Sequence, residues 1–274
     1  MKNNHQNLLV WRKSKGCTID CKINLNLLLE EKEERERFDA KWKDFIASDP
    51  DNTKVYKKRG NTIIYKSEQL IPTKQDNRPP LLMVFGNPAT HSVEAGMFFS
   101  FKNKGKENRF WKSILKPARI LELPFDLSQS VRKLNTQRRQ KMFSLKYDSP
   151  FRIGLGVFIS MPSAAGGKWG GVAGIQKLLG AKAFRKLERA EQDRVLECAK
   201  KFVNSRGGVV AFQKNAWNAL CSDGDPEYNI DLARSGKLKG TLKKSEKISL
   251  LCVPPTRLSG PCFQVLKQIV NDYS

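Results

Sequence analysis

Apolar and polar positions divide the chain into two stretches with different rhythms. Over residues 25–48, Leu28, Phe38, Trp42, Phe45 and Ile46 recur near helical spacing among dense i,i+4 charges. This spacing predicts an amphipathic helix whose apolar face packs on the rest of the protein. Residues 53–67 then alternate apolar and polar on both sides of Arg59-Gly60-Asn61, the pattern of a β-hairpin. A polar, proline-ended connector follows over residues 73–80. After it the rhythm changes. Residues 81–85 (LLMVF), 152–161 (RIGLGVFISM), 208–212 (GVVAF) and 247–253 (KISLLCV) are short apolar runs suited to strands covered on both faces. Helix candidates lie between them over residues 110–120 and 181–204, the second with Phe184, Leu187, Val195, Leu196, Ala199 and Phe202 on its apolar side, and a last helix spans 263–271. Strands alternating with helices predict an α/β fold: a three-layer α/β/α domain over residues 76–274 with a central, mostly parallel four-stranded sheet, preceded by a basic extension over residues 1–75. In such sheets ligands bind at the carboxyl ends of the strands, so candidate chemistry is sought in the residues that directly follow them.

Composition narrows the chemistry. Lys and Arg number 50 against 27 Asp and Glu in 274 residues, a formal net charge of +23. An excess of this size points to a polyanion, because each phosphate neutralised releases counterions and gives affinity independent of sequence. Nucleic acid fits better than an acidic membrane, since no basic amphipathic helix with a strong apolar face is evident and no apolar run approaches the ~20 residues of a membrane span. Residues 1–16 carry no apolar signal core, so a cytoplasmic, nucleoid-associated setting is expected, and reduced thiols with it. Two histidines, His5 and His91, leave almost nothing for a catalytic triad or a multi-histidine metal centre. Cys17, Cys21, Cys198, Cys221, Cys252 and Cys262 contain no C-x-x-C pair and read as scattered buried thiols, so neither metal nor other cofactor is expected.

Directly after the first apolar run the chain reads Gly86-Asn87-Pro88-Ala89-Thr90-His91-Ser92, then Gly96, Phe98 and Phe99, then Asn108-Arg109-Phe110-Trp111. After the last run it reads Pro254-Pro255-Thr256-Arg257-Leu258-Ser259-Gly260. This ordered set resembles the two motifs of the uracil-DNA glycosylase superfamily, most closely its mismatch-specific uracil/thymine branch. The resemblance covers about residues 81–270. It implies a monofunctional glycosylase that flips a damaged or mispaired base, uracil foremost, out of DNA and hydrolyses its N-glycosidic bond without a cofactor.

The residue types suit that chemistry. A base inside a duplex must be extruded at a cost of a few kcal/mol, least for a mismatched base. Leu258, beside Pro255, Thr256, Arg257 and Ser259, would form the wedge that holds the gap, an apolar side chain stacking while a cation grips phosphate. Cleavage builds positive charge on the sugar and negative charge on the base, so it needs a placed water and hydrogen bonds more than a strong base. Asn87 has no useful pKa and could only orient that water. The resemblance implies base stacking by Phe99, with Phe98 the second candidate, and a pocket completed by Gly86, Pro88, Ser92 and Ser160. Gly96 would shape the loop by a positive φ or a close approach. His91 reads as a solvent-edge side chain.

Several positions depart from the family pattern. Phe85 and Ala89 stand where glycines are usual, the second motif has no histidine, and Ser160 stands where some branches place an Asn that reads uracil. A slow enzyme dependent on easily flipped substrates is expected. Phosphate contacts are expected from Arg109, from Lys214 after the third strand, and from Arg132, Arg138 and Arg139 in a run with no acid, extended by Lys141 and Lys146. Residues 100–107 (SFKNKGKE) read as a basic insertion, and Lys237, Lys239, Lys243, Lys244 and Lys247 as a second basic stretch. The expected partner is DNA, double-stranded with a mismatch or lesion and conceivably single-stranded, bound by a monomer. Two rivals stay open: a hypoxanthine glycosylase, suggested by Phe98-Phe99, and a catalytically silent DNA- or RNA-binding protein.

Overall fold

The computed structural model describes residues 7–14, 16–101 and 105–273; His5 and residues 102–104 of the basic insertion lie outside them. In chain order the elements are β1 (Leu9–Lys13), β2 (Thr18–Asn24), α1 (Leu25–Leu28), α2 (Lys32–Ala47), α3 (Asn52–Val55), β3 (Tyr56–Arg59), β4 (Thr62–Leu70), β5 (Pro80–Phe85) and α4 (Thr90–Ala95). A π-helical segment (Phe110–Leu115) follows, then α5 (Val131–Ser144), β6 (Arg152–Val157), α6 (Gly171–Leu179), α7 (Ala181–Phe202), β7 (Gly208–Ala211), α8 (Lys214–Leu220), α9 (Ile230–Arg234), β8 (Lys239–Leu242), β9 (Ser245–Cys252) and α10 (Ser259–Tyr273).

The fold is mixed α/β, built on one large open sheet. Among the described residues nine strands run in the order β1-β2-β4-β6-β5-β7-β9-β8, with β3 also paired to β4. The sheet is larger than the four strands expected, because β1–β4 from residues 1–75 join it. Strands β6, β5, β7 and β9 are mutually parallel, and β5, β6 and β7 are buried along their whole length. The N-terminal strands extend the sheet with antiparallel partners, joining it where Gln69 and Leu70 of β4 pair with Gly156 and Leu155 of β6. The junction takes only the last two residues of β4, whose earlier residues pair with β2 and β3.

Helices cover both faces. Alternation along β5 sends Leu82 and Val84 into one core, with residues of α2, α6, α7 and α8, and Leu81, Met83 and Phe85 into the other, with the π-helical segment and α10. On α7 the buried Phe184, Leu187, Val195, Leu196, Ala199 and Phe202 form the stripe facing the sheet, each large side chain contributing about 1.5–3 kcal/mol of burial. The helix candidate over 110–120 is shorter than expected, ending at Leu115 before Pro117, which cannot donate to a continuing helix. No helix among the described residues is long and apolar enough to cross a membrane.

Candidate functional site

Parallel strands leave their carboxyl ends open where the connections cross over, and both motif loops emerge at that edge. Asn87 follows β5, and residues 254–258 follow β9. The loops are joined directly: Arg109 donates from Nη2 to the Thr256 carbonyl at 3.3 Å.

The β5 loop is fastened backbone to backbone against the segment after β6. Phe158 and Ile159 donate to the carbonyls of Phe85 and Gly86, Ser163 to that of Pro88, and Thr90 to that of Ser163. Asn87 itself is half-buried, and its Nδ2 donates to Met161 O at 3.1 Å and to Ser163 Oγ at 2.9 Å. Both amide hydrogens are thereby engaged, which leaves Oδ1 as the acceptor. A Cβ at Gly86 would meet the Gln213 side-chain amide, which would have to swing aside. Gln213, the N-cap residue of α8, was not among the expected site residues. The close approach that brings it beside Gly86 depends on how β5 and β7 are paired, and no local pattern reports that.

Around α4 the chain turns back under Phe99. Gly96 caps the helix at φ +65°, as a left-handed terminus requires. The Ser92 carbonyl accepts from Met97 N and Gly96 N, so buried Ser92 shapes the turn through its backbone. Phe99 has φ +44°, an unusual conformation for a bulky residue and the kind of strain found at ligand sites. Its ring is half-buried, stacked on Phe110 with centroids 4.2 Å apart and edge-on to Phe85 at 5.0 Å, and its carbonyl accepts from Trp111 Nε1. Phe85, where a glycine was usual, is thus part of the aromatic floor. His91 is half-buried on α4.

Three expected site residues stand elsewhere. Phe98 is 1% exposed and belongs to the core, because successive residues at this turn face opposite ways. Ser160 is fully buried, its hydroxyl engaged with Glu191 and Tyr65, so it cannot read a base edge. Arg138 has no surface to offer a phosphate: it pairs with Glu107 and lies over the rings of Phe101, Trp111 and Phe125 at 4.0, 4.5 and 4.8 Å. Burial lowers its pKa to about 10, with Glu107 opposing.

Ser160 instead exposes a support that went unread. Its backbone N–H and hydroxyl both donate to Glu191 Oε1; Arg194 donates from Nε to Glu191 Oε2 at 2.6 Å and from Nη2 to the carbonyls of Val157 and Phe158. Burial alone would lower the Arg194 pKa, but Glu191 outweighs it and the net direction is up. This network holds the segment that receives Asn87.

The remaining candidates are at the surface. Arg109, Arg132, Lys214 and Arg257 are exposed; Pro255, Thr256, Leu258 and Ser259 are half-exposed, and Pro88 is buried beneath the loop. The tip is shaped by Leu258 N donating to Pro255 O at 2.8 Å. Arg139 is half-buried and donates to Gly96 O. In the second basic stretch Lys243 and Lys244 pair with Asp223 and Asp193. The six cysteines are free thiols; burial pushes Cys21, Cys252 and Cys262 up to about 12. Among the described residues no group of His, Cys, Asp and Glu could hold a metal ion. No protein-family model matches the sequence, and no curated protein matches it.

Proposed function

We propose that the chain is a DNA glycosylase of the uracil-DNA glycosylase type, excising a damaged or mispaired base, uracil foremost, with Asn87 orienting the attacking water. One observation carries the reading: the two loops that resemble the family's motifs leave the same edge of a parallel sheet and touch through Arg109 and Thr256. The parallel strands β6-β5-β7-β9, with helices on both faces, are what a three-layer glycosylase domain would have at its centre.

In this reading the extruded base lies on the face of Phe99 opposite Phe110, and Leu258 occupies the vacated place in the stack. Asn87 Oδ1 accepts a hydrogen bond from water, turning an oxygen lone pair toward the sugar carbon; as the new C–O bond forms the glycosidic C–N bond breaks, its electron pair leaves with the base, and the water's proton passes to solvent. No side chain here is a strong base, so the leaving group must depart largely as an anion, which favours uracil over better-stacked, more basic leaving groups. With Ser160 withdrawn, polar contacts to the base fall to backbone groups and to Gln213 beside Gly86.

The test uses labelled oligonucleotides carrying uracil, a G·T mispair or hypoxanthine, treated with alkali after incubation. Strand breaks at uracil with the parent protein and at least 100-fold fewer with Asn87→Ala are expected, since misplacing a reactant costs about that much. Breaks at hypoxanthine alone would replace the substrate. No break on any substrate, with salt-sensitive binding intact, would leave a nucleic-acid binder without chemistry.

A further inference from the structure

A cavity of about 820 Å³ lies beside α5, away from the strand ends. Its walls include Lys74, Arg139, Lys141 and Lys146 and the rings of Phe125 and Phe143. The single carboxylate in the lining, Asp126, is already occupied by Ser128 and Gln129. No ion pair among the described residues engages any of the four cations, and with Asp126 the one carboxylate against them the lining keeps a net positive charge; Lys141 Nζ also donates to the Pro124 carbonyl at 2.7 Å. Phe125 packs edge-on to Phe101 at 5.5 Å and has the Arg138 guanidinium and the Lys141 ammonium over its ring at 4.8 and 4.9 Å, while Phe143, half-buried, packs on the core and keeps part of its surface open.

We propose that this cavity is a track for single-stranded DNA running away from the candidate site. Cations beside a partly exposed ring, here Phe143, are what such a strand needs: the charges follow its phosphates, and every base has a face to stack on a ring regardless of sequence. A duplex, whose bases are already stacked, has no use for the rings. The cavity also connects to the site. Arg139 reaches from its wall to the Gly96 carbonyl at 3.2 Å, at the turn that leads to Phe99. Its outer wall is closed by Gly16, in the β1–β2 turn, against the side chain of Arg139. Residues 1–75, which lie outside the family resemblance, thus acquire a role, completing a groove that the glycosylase-like part alone would leave open. The direction of the strand rests on the glycosylase reading; the existence of the track does not.

The experiment measures binding of a fluorescent oligothymidylate to the full chain by anisotropy across a salt series. Replacing Lys74 and Lys146 together by Gln is expected to lower the slope of log affinity against log salt by about 1.4, at about 0.7 per lost single-strand phosphate contact. Phe143→Leu keeps the apolar contact with the core and removes the ring; it is expected to weaken binding about fivefold or more with the slope unchanged. A control that removes the same charge from ion-paired lysines, Lys32→Gln with Lys201→Gln, is expected to change neither. Thermal melting confirms that each variant is folded. Slopes equal to the control's, or a Phe143→Leu affinity equal to the parent's, would overturn the track, as would polyglutamate competing as well as oligothymidylate does. Because no base is excised in this assay, the track fails or stands separately from the glycosylase: uracil excision with unaltered groove variants sinks only the track, and groove-dependent binding without excision sinks only the enzyme.

Discussion

Asn87 and Phe99 are held by opposite means. Behind Asn87 the support is polar and saturated: Glu191, fully buried, takes two hydrogen bonds from Ser160 and one from Arg194, and Arg194 spends its remaining contacts on strand-end carbonyls. Behind Phe99 the support is aromatic: Phe85, Phe110 and Phe212 pack on one another, and the buried Arg138 has one carboxylate, three ring faces, and Nε and Nη1 without partners. The difference shows how each half of a site can be placed. On the proposed reading, a small amide that presents one oxygen to water needs directional bonds, whereas a stacking ring needs only a flat apolar floor. Directional support is also the more brittle, since removing one partner strands a buried charge.

The strongest way to break the comparison is therefore at the two buried arginines. Glu191→Ala leaves Arg194 charged and unpaired in the core, and a loss of about 3–5 kcal/mol is expected. Arg138→Met keeps the volume between the rings and removes a charge already incompletely satisfied, so about 1–2 kcal/mol is expected, the scale of its ring contacts. Denaturant midpoints measure both; equal losses would mean that the aromatic side is as dependent on its charge as the polar side.

Gly96→Ala acts on the Phe99 side alone. It places a Cβ at φ +65° with Arg139 Nη1 3.0 Å away, and about 1–2 kcal/mol should be lost. Because the turn positions Phe99, uracil excision should fall further than stability does. An activity loss no greater than the stability loss would separate Phe99 from the chemistry.

A smaller, pH-dependent effect comes from Glu68. It is 2% exposed with Oε1 unpartnered, and burial raises its pKa well above the ordinary 4.5. A raised folded pKa means that the folded state keeps the proton while the unfolded chain releases it. The contribution to stability is thus intact below about pH 4.5 and declines as pH climbs toward the folded pKa. Glu68→Gln, neutral at every pH, is expected to match the parent near pH 4 and to melt progressively higher than it between pH 5 and 8. A constant difference across that range would show that Glu68 is ionised in the fold.

How much of this was legible in the sequence depended on whether the signal was local. The strands β5, β7 and β9 announce themselves as apolar runs bounded by turn residues, and the hairpin at Gly60 as alternation around a turn. β2 carried a usable signal too, since Ile19, Cys21 and Ile23 alternate into the core, but short charged strands at a sheet edge resemble a polar tail. α5 was hidden because its buried face holds Asn135 and Arg138 beside Leu134 and Met142. The placement of Asn87 and Leu258 in loops after strands, and of Phe99 after α4 in the first of these connections, followed from the motifs. The withdrawal of Ser160 did not, because its partner lies 31 residues away and its hydroxyl looks the same in sequence whether it faces a ligand or Glu191.

The central claim is that Asn87 and Leu258 serve one site with separate tasks, water placement and base extrusion. Single-turnover release of uracil from duplex and from single-stranded oligonucleotides tests it most directly. Asn87→Ala should lose at least 100-fold on both substrates, because water must be placed either way. Leu258→Ala should lose activity on the duplex and little on the single strand, where nothing has to be wedged apart. Equal losses for Leu258→Ala on both substrates, or full activity for Asn87→Ala on either, would contradict the account.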